Sequence, residues 1–192
     1  MDRWNILLVG VGGQGVLLAS ELLALGFLKA GYDVKKSEVH GMAQRGGAVS
    51  SHVRAGAKVY SPLIPKGEAD LLVSFESLEA LRWLEFLRKD GLLLVSRQEI
   101  KPTTVTSGRM KYPENACEAL AARHARTQIV EALELSRKAG DVRSINSILV
   151  GAVSCALPLP ESVWREVIEE RMPKKFVRVN LRAFELGRAL QA

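Results

Sequence analysis

Glycines at positions 10, 12 and 15, within Gly10-Val11-Gly12-Gly13-Gln14-Gly15, follow the apolar run Ile6-Leu7-Leu8-Val9 directly. The spacing is G-x-G-x-x-G, in which a strand turns into a helix whose first N–H groups can cradle a pyrophosphate. Strand-to-helix turns also need glycine for plain steric reasons, so the match alone names no ligand. Val16 and Leu17 stand where a P-loop requires Lys and Ser/Thr, which excludes an NTPase. A dinucleotide site needs an acid at the end of the second strand, about 20 residues on, for the ribose hydroxyls. The second strand is expected over residues 33–37. That places Asp33 at its start, ends it on Lys35-Lys36-Ser37 and leaves Glu38 too late. NAD is disfavoured on this count, while lysines able to face a 2′-phosphate keep NADP open.

The second candidate segment is Ser37-Glu38-Val39-His40-Gly41-Met42-Ala43-Gln44-Arg45-Gly46-Gly47. It has neither a helical nor a strand period and is expected to be a loop. It leaves the carboxyl end of the second strand, where open α/β sheets place their ligand crevice. Arg45 could grip a phosphate or carboxylate there with two hydrogen bonds. A surface loop with an exposed Glu38–Arg45 pair of little energetic value accounts for the same composition. His52 and His124 lack companions at ligand spacing, so no metal site is expected. Cys117 and Cys155 are isolated and read as small apolar core residues, too few to hold an iron–sulfur cluster.

These segments need a scaffold, and the pattern around them alternates strand and helix. Residues 15–30 form a helix apolar on nearly every side, which must be covered from two directions. Ala30-Gly31 closes it. Val49, Ser51 and Val53 alternate with polar residues in a third strand, and residues 69–75 form a nearly continuous apolar fourth, as buried parallel strands do. A helix over 77–89 carries Leu78, Leu81, Leu84 and Leu87, ends at Gly91, and returns to the sheet at 92–96. Residues 98–112 give no clear pattern. A last strand is expected near 127–131 and a helix over 132–139. The final third reads as helices over 144–157, around Val163 to Ile168, and over 176–190, with Pro158 and Pro160 breaking the first from the second. The fold class is α/β, a Rossmann-like, mostly parallel sheet flanked by helices with a helical C-terminal third, in a single domain over 1–192. The helices at 15–30 and 144–157 are so apolar that another chain or a second copy is expected to cover part of them.

At 192 residues, 47% hydrophobic and 25% charged, the composition is that of a globular domain. The most apolar stretch, 16–28, is interrupted by Ser20 and Glu21 and falls short of the roughly 20 residues a bilayer requires, so no membrane association is expected. No signal peptide is read at the start, and the cytoplasm is the expected compartment. The net charge of +6 is scattered rather than gathered in a stripe, which argues against nucleic acid and for an acidic protein partner or a solvated surface.

Taken jointly, Gly10 to Val16, Ser37 to Gly47 and Ser51-His52-Val53-Arg54 resemble the gamma domain of 2-oxoacid:ferredoxin oxidoreductases, a family that includes pyruvate and ketoisovalerate types. Within it the chain is most similar to the beta subunit of the indolepyruvate type. Val179-Asn180-Leu181-Arg182-Ala183-Phe184-Glu185-Leu186-Gly187 resembles that subunit's closing helix. The resemblance implies a complex that decarboxylates aryl 2-oxo acids oxidatively to acyl-CoA and reduces ferredoxin. Thiamine diphosphate, Mg and [4Fe–4S] clusters are then expected in a large partner subunit of the indolepyruvate alpha type, with CoA as co-substrate. This chain has no G-D-G…N segment, its Gly140-Asp141 being followed by Val142, and is expected to bind none of those cofactors alone. It would have no catalytic residue of its own and would be inactive in isolation. Its task would be to complete the complex and wall the active site on the CoA side. The residues concerned are Gly10, Gly12, Gly13, Gln14 and Gly15 with Glu38, His40, Gly41, Met42, Gln44, Arg45, Gly46 and Gly47. The competing expectations are a self-sufficient NAD(P)- or flavin-dependent oxidoreductase and a non-enzymatic binding module.

Overall fold

A computed structural model describes residues 2–40 and 46–191. Six strands form one sheet: β1 (Trp4–Val11), β2 (Asp33–His40), β3 (Ala48–Gly56), β4 (Ala69–Ser74), β5 (Leu87–Ser96) and β6 (Thr127–Val130). Their spatial order is β2-β3-β1-β4-β5-β6. β1, β4, β5 and β6 pair in parallel, whereas β3 is antiparallel to both β1 and β2. Five strands therefore share one direction and β3 alone opposes them. Because β3 lies between β1 and β2, the end of β2 stands one strand spacing, about 4.8 Å, farther from the glycine turn than in an uninterrupted parallel sheet.

Alternation along the central strands feeds two cores. Ile6 and Leu8 of β1 point to one face, Leu7 and Val9 to the other. The larger core lies under α1 (Val16–Lys29), α5 (Ala132–Ala139), α6 (Ile145–Ser154), α7 (Glu161–Arg171) and α8 (Lys174–Arg188). The smaller lies under α2 (Ser77–Trp83) and α4 (Ala116–Arg123), and the four-residue α3 (Thr103–Thr106) falls between β5 and α4 in the chain.

The chain itself covers most of the very apolar helices. α1 is sandwiched between the sheet and α6 and α7, and every residue of α6 is buried, chiefly by α5 and α8. The expectation that another chain or a second copy covers part of them divides: α6 needs no further cover, whereas α1 keeps Leu17 and Leu28 exposed and leaves that surface for a partner. Glycine sets the intimacy of that packing. A Cβ on Gly151 of α6 would lie 2.1 Å from the Phe184 carbonyl oxygen, and one on Gly187 of α8 would lie 2.0 Å from that of Ile148. The two backbones touch.

Three further expectations are corrected. Residues 37–40 are not loop but the end of β2, paired with β3 from Ser37↔His52 to His40↔Val49. The helix expected over 77–89 stops at Trp83, passes through a 3-10 turn (Leu84–Phe86), and gives way to β5 at Leu87, where Leu87 pairs with Ala69. Gly91 is a strand irregularity rather than a helix stop; a Cβ there would come within 2.5 Å of Leu87 Cδ1. One further helix, α4, lies between the patternless 98–112 and the strand at 127–130, where no element was expected.

Candidate functional site

Gly10 closes β1 where a side chain has no room: a Cβ would lie 2.8 Å from Phe75 Cβ. Beyond it, the Gly12 N–H donates to the Gly47 carbonyl at 2.8 Å and the Gly46 N–H to the Gly12 carbonyl at 3.4 Å. The two motif segments therefore meet backbone to backbone. Gly13 (φ 102°) and Gly15 (φ 86°) adopt the left-handed conformation that L side chains avoid. Gly15 is the N-cap of α1, with no side-chain cap and no acid in the first turn. The first N–H groups of the helix have no intrahelical acceptor and carry the positive end of its dipole. They open on a cleft of about 480 Å³. Gly12, Gly13, Gly15 and the first turn of α1 form one wall, and His40 and Val49 form the other.

Gln14 turns away from the cleft. Its Oε1 accepts from the Val11 N–H at 2.7 Å, and its Nε2 donates to the Phe75 carbonyl at 2.8 Å and to Gln98 Oε1 at 2.7 Å. Phe75 in turn donates its N–H to the Val9 carbonyl. The point at which the strand order reverses, between β1 and β4, is where a doubly wound sheet would take a dinucleotide. Here it is bridged by an amide crossbar. The open space lies on the opposite side, toward β3 and β2.

The crossbar continues into a buried carboxylate. Glu76 is 1% exposed and caps α2, accepting the Glu79 N–H at 2.9 Å. Its other oxygen accepts the Ile100 N–H at 3.2 Å and the hydroxyl of Tyr112. Burial, followed by this bond to Glu76, pushes the Tyr112 hydroxyl well above its ordinary pKa. Glu79 is also buried and raised, first by desolvation, with the Glu76 carboxylate adding to it against the pull of Arg82. Ser77 Oγ donates to the Gln98 carbonyl at 3.0 Å and lies 3.5 Å from Cys117 Sγ. Cys117 is buried, as expected, and desolvation raises its thiol pKa; Cys155 is exposed, against the expectation that it is a core residue. Its place after the last turn of α6 leaves its thiol facing the carbonyls of Gly151 and Arg188.

Of the residues proposed from sequence, the structure brings Gly12, Gly46 and Gly47 into contact and places Gly12, Gly13, Gly15 and His40 around one cleft. Glu38 sits on the exposed edge strand in a 2.5 Å ion pair with Lys36, lining the adjoining groove with Glu21 and Arg171. A forked hydrogen bond from Arg171 holds Glu21 below the usual carboxylate range. Gly41, Met42, Gln44 and Arg45 lie outside the described residues. Asp33, the acid at the distance a ribose would require, is occupied at the start of β2 by Lys35 and the Val59 N–H. Sequence reasoning missed Val49, Gln98, Glu76 and Tyr112, because their roles arise from pairing between distant segments. It also missed Asn146, which is buried against Gly15; the signal was a polar residue at the head of an otherwise apolar helix. Among the described residues no group of three or more His, Cys, Asp or Glu could hold a metal ion. No helix is long and apolar enough to cross a membrane.

The family model for pyruvate ferredoxin/flavodoxin oxidoreductase matches residues 5–190. The chain belongs to this family. Indolepyruvate oxidoreductase subunit IorB of Thermococcus kodakarensis is 41% identical to this family member over 192 residues, covering 97% of this chain and 95% of that protein. The IorB subunit of Archaeoglobus fulgidus is 42% identical over 189 residues, covering 96% and 94%. Among solved structures, the gamma subunit of a keto/oxoacid ferredoxin oxidoreductase from Geobacter sulfurreducens PCA matches with a TM-score of 0.71 at 24% identity, covering 98% of this chain and 99% of that one. It shares the fold of this chain.

Proposed function

We propose that this chain is the cofactor-free subunit of an indolepyruvate-type 2-oxoacid:ferredoxin oxidoreductase. The complex would oxidise aryl 2-oxo acids to acyl-CoA in the cytoplasm and pass electrons to ferredoxin. The single observation that carries this reading is the near-full-length similarity to IorB subunits. Thiamine diphosphate, Mg and the [4Fe–4S] clusters belong, on this reading, to a large partner subunit, since the two cysteines here stand apart, one buried and one exposed. The matched span of 5–190 supports a single domain. An NAD(P) or flavin site is disfavoured by the Gln14 crossbar and by β3 holding the end of β2 away from the glycine turn.

The chain's own contribution is the wall of the CoA side. The uncapped start of α1 offers N–H groups and partial positive charge to a phosphate, and Gly13 lets that phosphate approach the backbone. Glu38, His40 and the segment through Arg45 to Gly47 would border the same ligand, with Arg45 supplying a bidentate contact. Reconstitution with the large subunit tests both levels of the reading. The pair should reduce ferredoxin with indolepyruvate only when CoA is present, and the isolated chain should neither turn over nor bind NAD(H) by calorimetry. Micromolar NAD(H) binding would return the chain to the dehydrogenases. Arg45→Lys should raise the KM for CoA severalfold at unchanged melting temperature. Unchanged kinetics would remove Arg45 from the site.

A further inference from the structure

Helix α8 has a fixed inner face and an unmatched outer one. Its inner face, Asn180, Ala183, Phe184 and Gly187, is buried. The Gly187 and Gly151 contacts lock it to α6 at backbone distance, so the outer face is presented in one orientation. That outer face lines an open groove with Lys174, Val177, Arg178, Leu181, Arg182 and Glu185, joined by Arg165 of α7, which pairs with Glu185. Val177 and Leu181 are half-buried and make an apolar seam along the groove.

Several cations of the molecule are neutralised by neighbouring carboxylates. Arg165 is satisfied by Glu161 and Glu185, Arg171 by Glu21, and Arg97 by Glu118 and Glu131. Among the described residues Lys174, Arg178 and Arg182 have no ion-pair partner, and α8 carries five cations against Glu185 alone. An apolar centre with a charged rim on a rigid helix is the anatomy of a lasting protein interface. The rim's charge specifies its complement: a surface with apolar side chains flanked by carboxylates.

We propose that the outer face of α8 docks the large subunit of the complex, through an acidic, apolar-centred surface of that subunit. The proposal rests on the functional reading above for the partner's identity. Its test is assembly of the two full chains measured by size exclusion and by titration, with Arg178→Glu/Arg182→Glu as the variant. Both side chains are exposed, so the variant should keep its circular dichroism and melting temperature. It should bind the large subunit at least tenfold more weakly than wild type, and wild-type affinity should fall as salt rises. A folded variant that assembles with wild-type affinity overturns the docking surface while leaving the functional reading intact. Failure of the wild-type chain itself to assemble overturns both. Should the variant misfold, Arg178→Gln/Arg182→Gln replaces it, with at least a threefold loss expected and undiminished assembly again overturning the proposal.

Discussion

Two halves of the same sheet edge, one after β1 and one after β4, are built in opposite ways. After β4, the buried Glu76, together with Gln14 reaching across from the glycine turn, uses side-chain oxygens and nitrogens on Val11, Phe75, Glu79, Gln98, Ile100 and Tyr112. After β1, the cleft side of the glycine turn presents backbone, and the start of α1 is left without a cap. The first half is complete within the chain. The second has donors in excess, and a surface of that kind gains most when something else supplies the acceptor. One half therefore serves as a brace and the other as a receptor, although a doubly wound sheet makes both equally suitable places for a ligand.

The largest test of this contrast is Glu76→Ala, which strands the buried N–H of Glu79, the half-buried N–H of Ile100 and the Tyr112 hydroxyl. A loss of about 3 kcal/mol in urea unfolding is expected for bonds to a charged acceptor. A loss below about 1 kcal/mol would show that the brace is not one. Gln14→Ala should cost less, about 2 kcal/mol, by freeing the Val11 N–H and the Phe75 carbonyl. It also opens the crevice at the strand reversal, so CoA kinetics that stay unchanged in the reconstituted complex would sharpen the separation of brace from receptor. The smallest effect concerns His52, outside both halves. It is buried against Trp83 and Phe86, and its Nδ1 accepts the Ile64 N–H at 3.2 Å. Desolvation lowers its pKa from the ordinary value, so the unfolded chain takes up the proton first. Its contribution to stability is complete above the unfolded pKa of about 6.5 and declines as pH falls through that value toward the lowered native one. Urea midpoints for wild type and His52→Gln between pH 7.5 and 5 check this: the extra slope should vanish in the variant.

The receptor half was the more legible in sequence because its signal is local. Gly10, Gly12 and Gly15 follow an apolar strand at fixed spacing, and the helix after them begins at Val16, one residue after the expected start. The brace was not legible, since Gln14 and Gln98, or Glu76 and Tyr112, become neighbours only when β4 and β5 pair. Likewise α5 was readable to the residue from its short apolar stripe. The leucines at 78, 81, 84 and 87 gave a helical spacing that was followed too far, because pairing of Leu87 with Ala69 overrides local preference. Residues 37–40 looked aperiodic because the end of β2, Glu38 to His40, is exposed at successive positions and has no buried side there to impose alternation.

That exposed strand has a consequence for how the molecule can associate. A free sheet edge offers a row of backbone donors and acceptors to any other strand, and this sheet has two such edges. One, β6, is only four residues long. The other, β2, sets Lys36 and Glu38 on one side of the strand, where an incoming strand would meet a charge pair that must be desolvated. Growth of the sheet by strand addition is thereby discouraged at both ends. Neighbours are left to approach over the helical layers, and the protein can carry an adhesive surface for one specific partner without also seeding chains of itself.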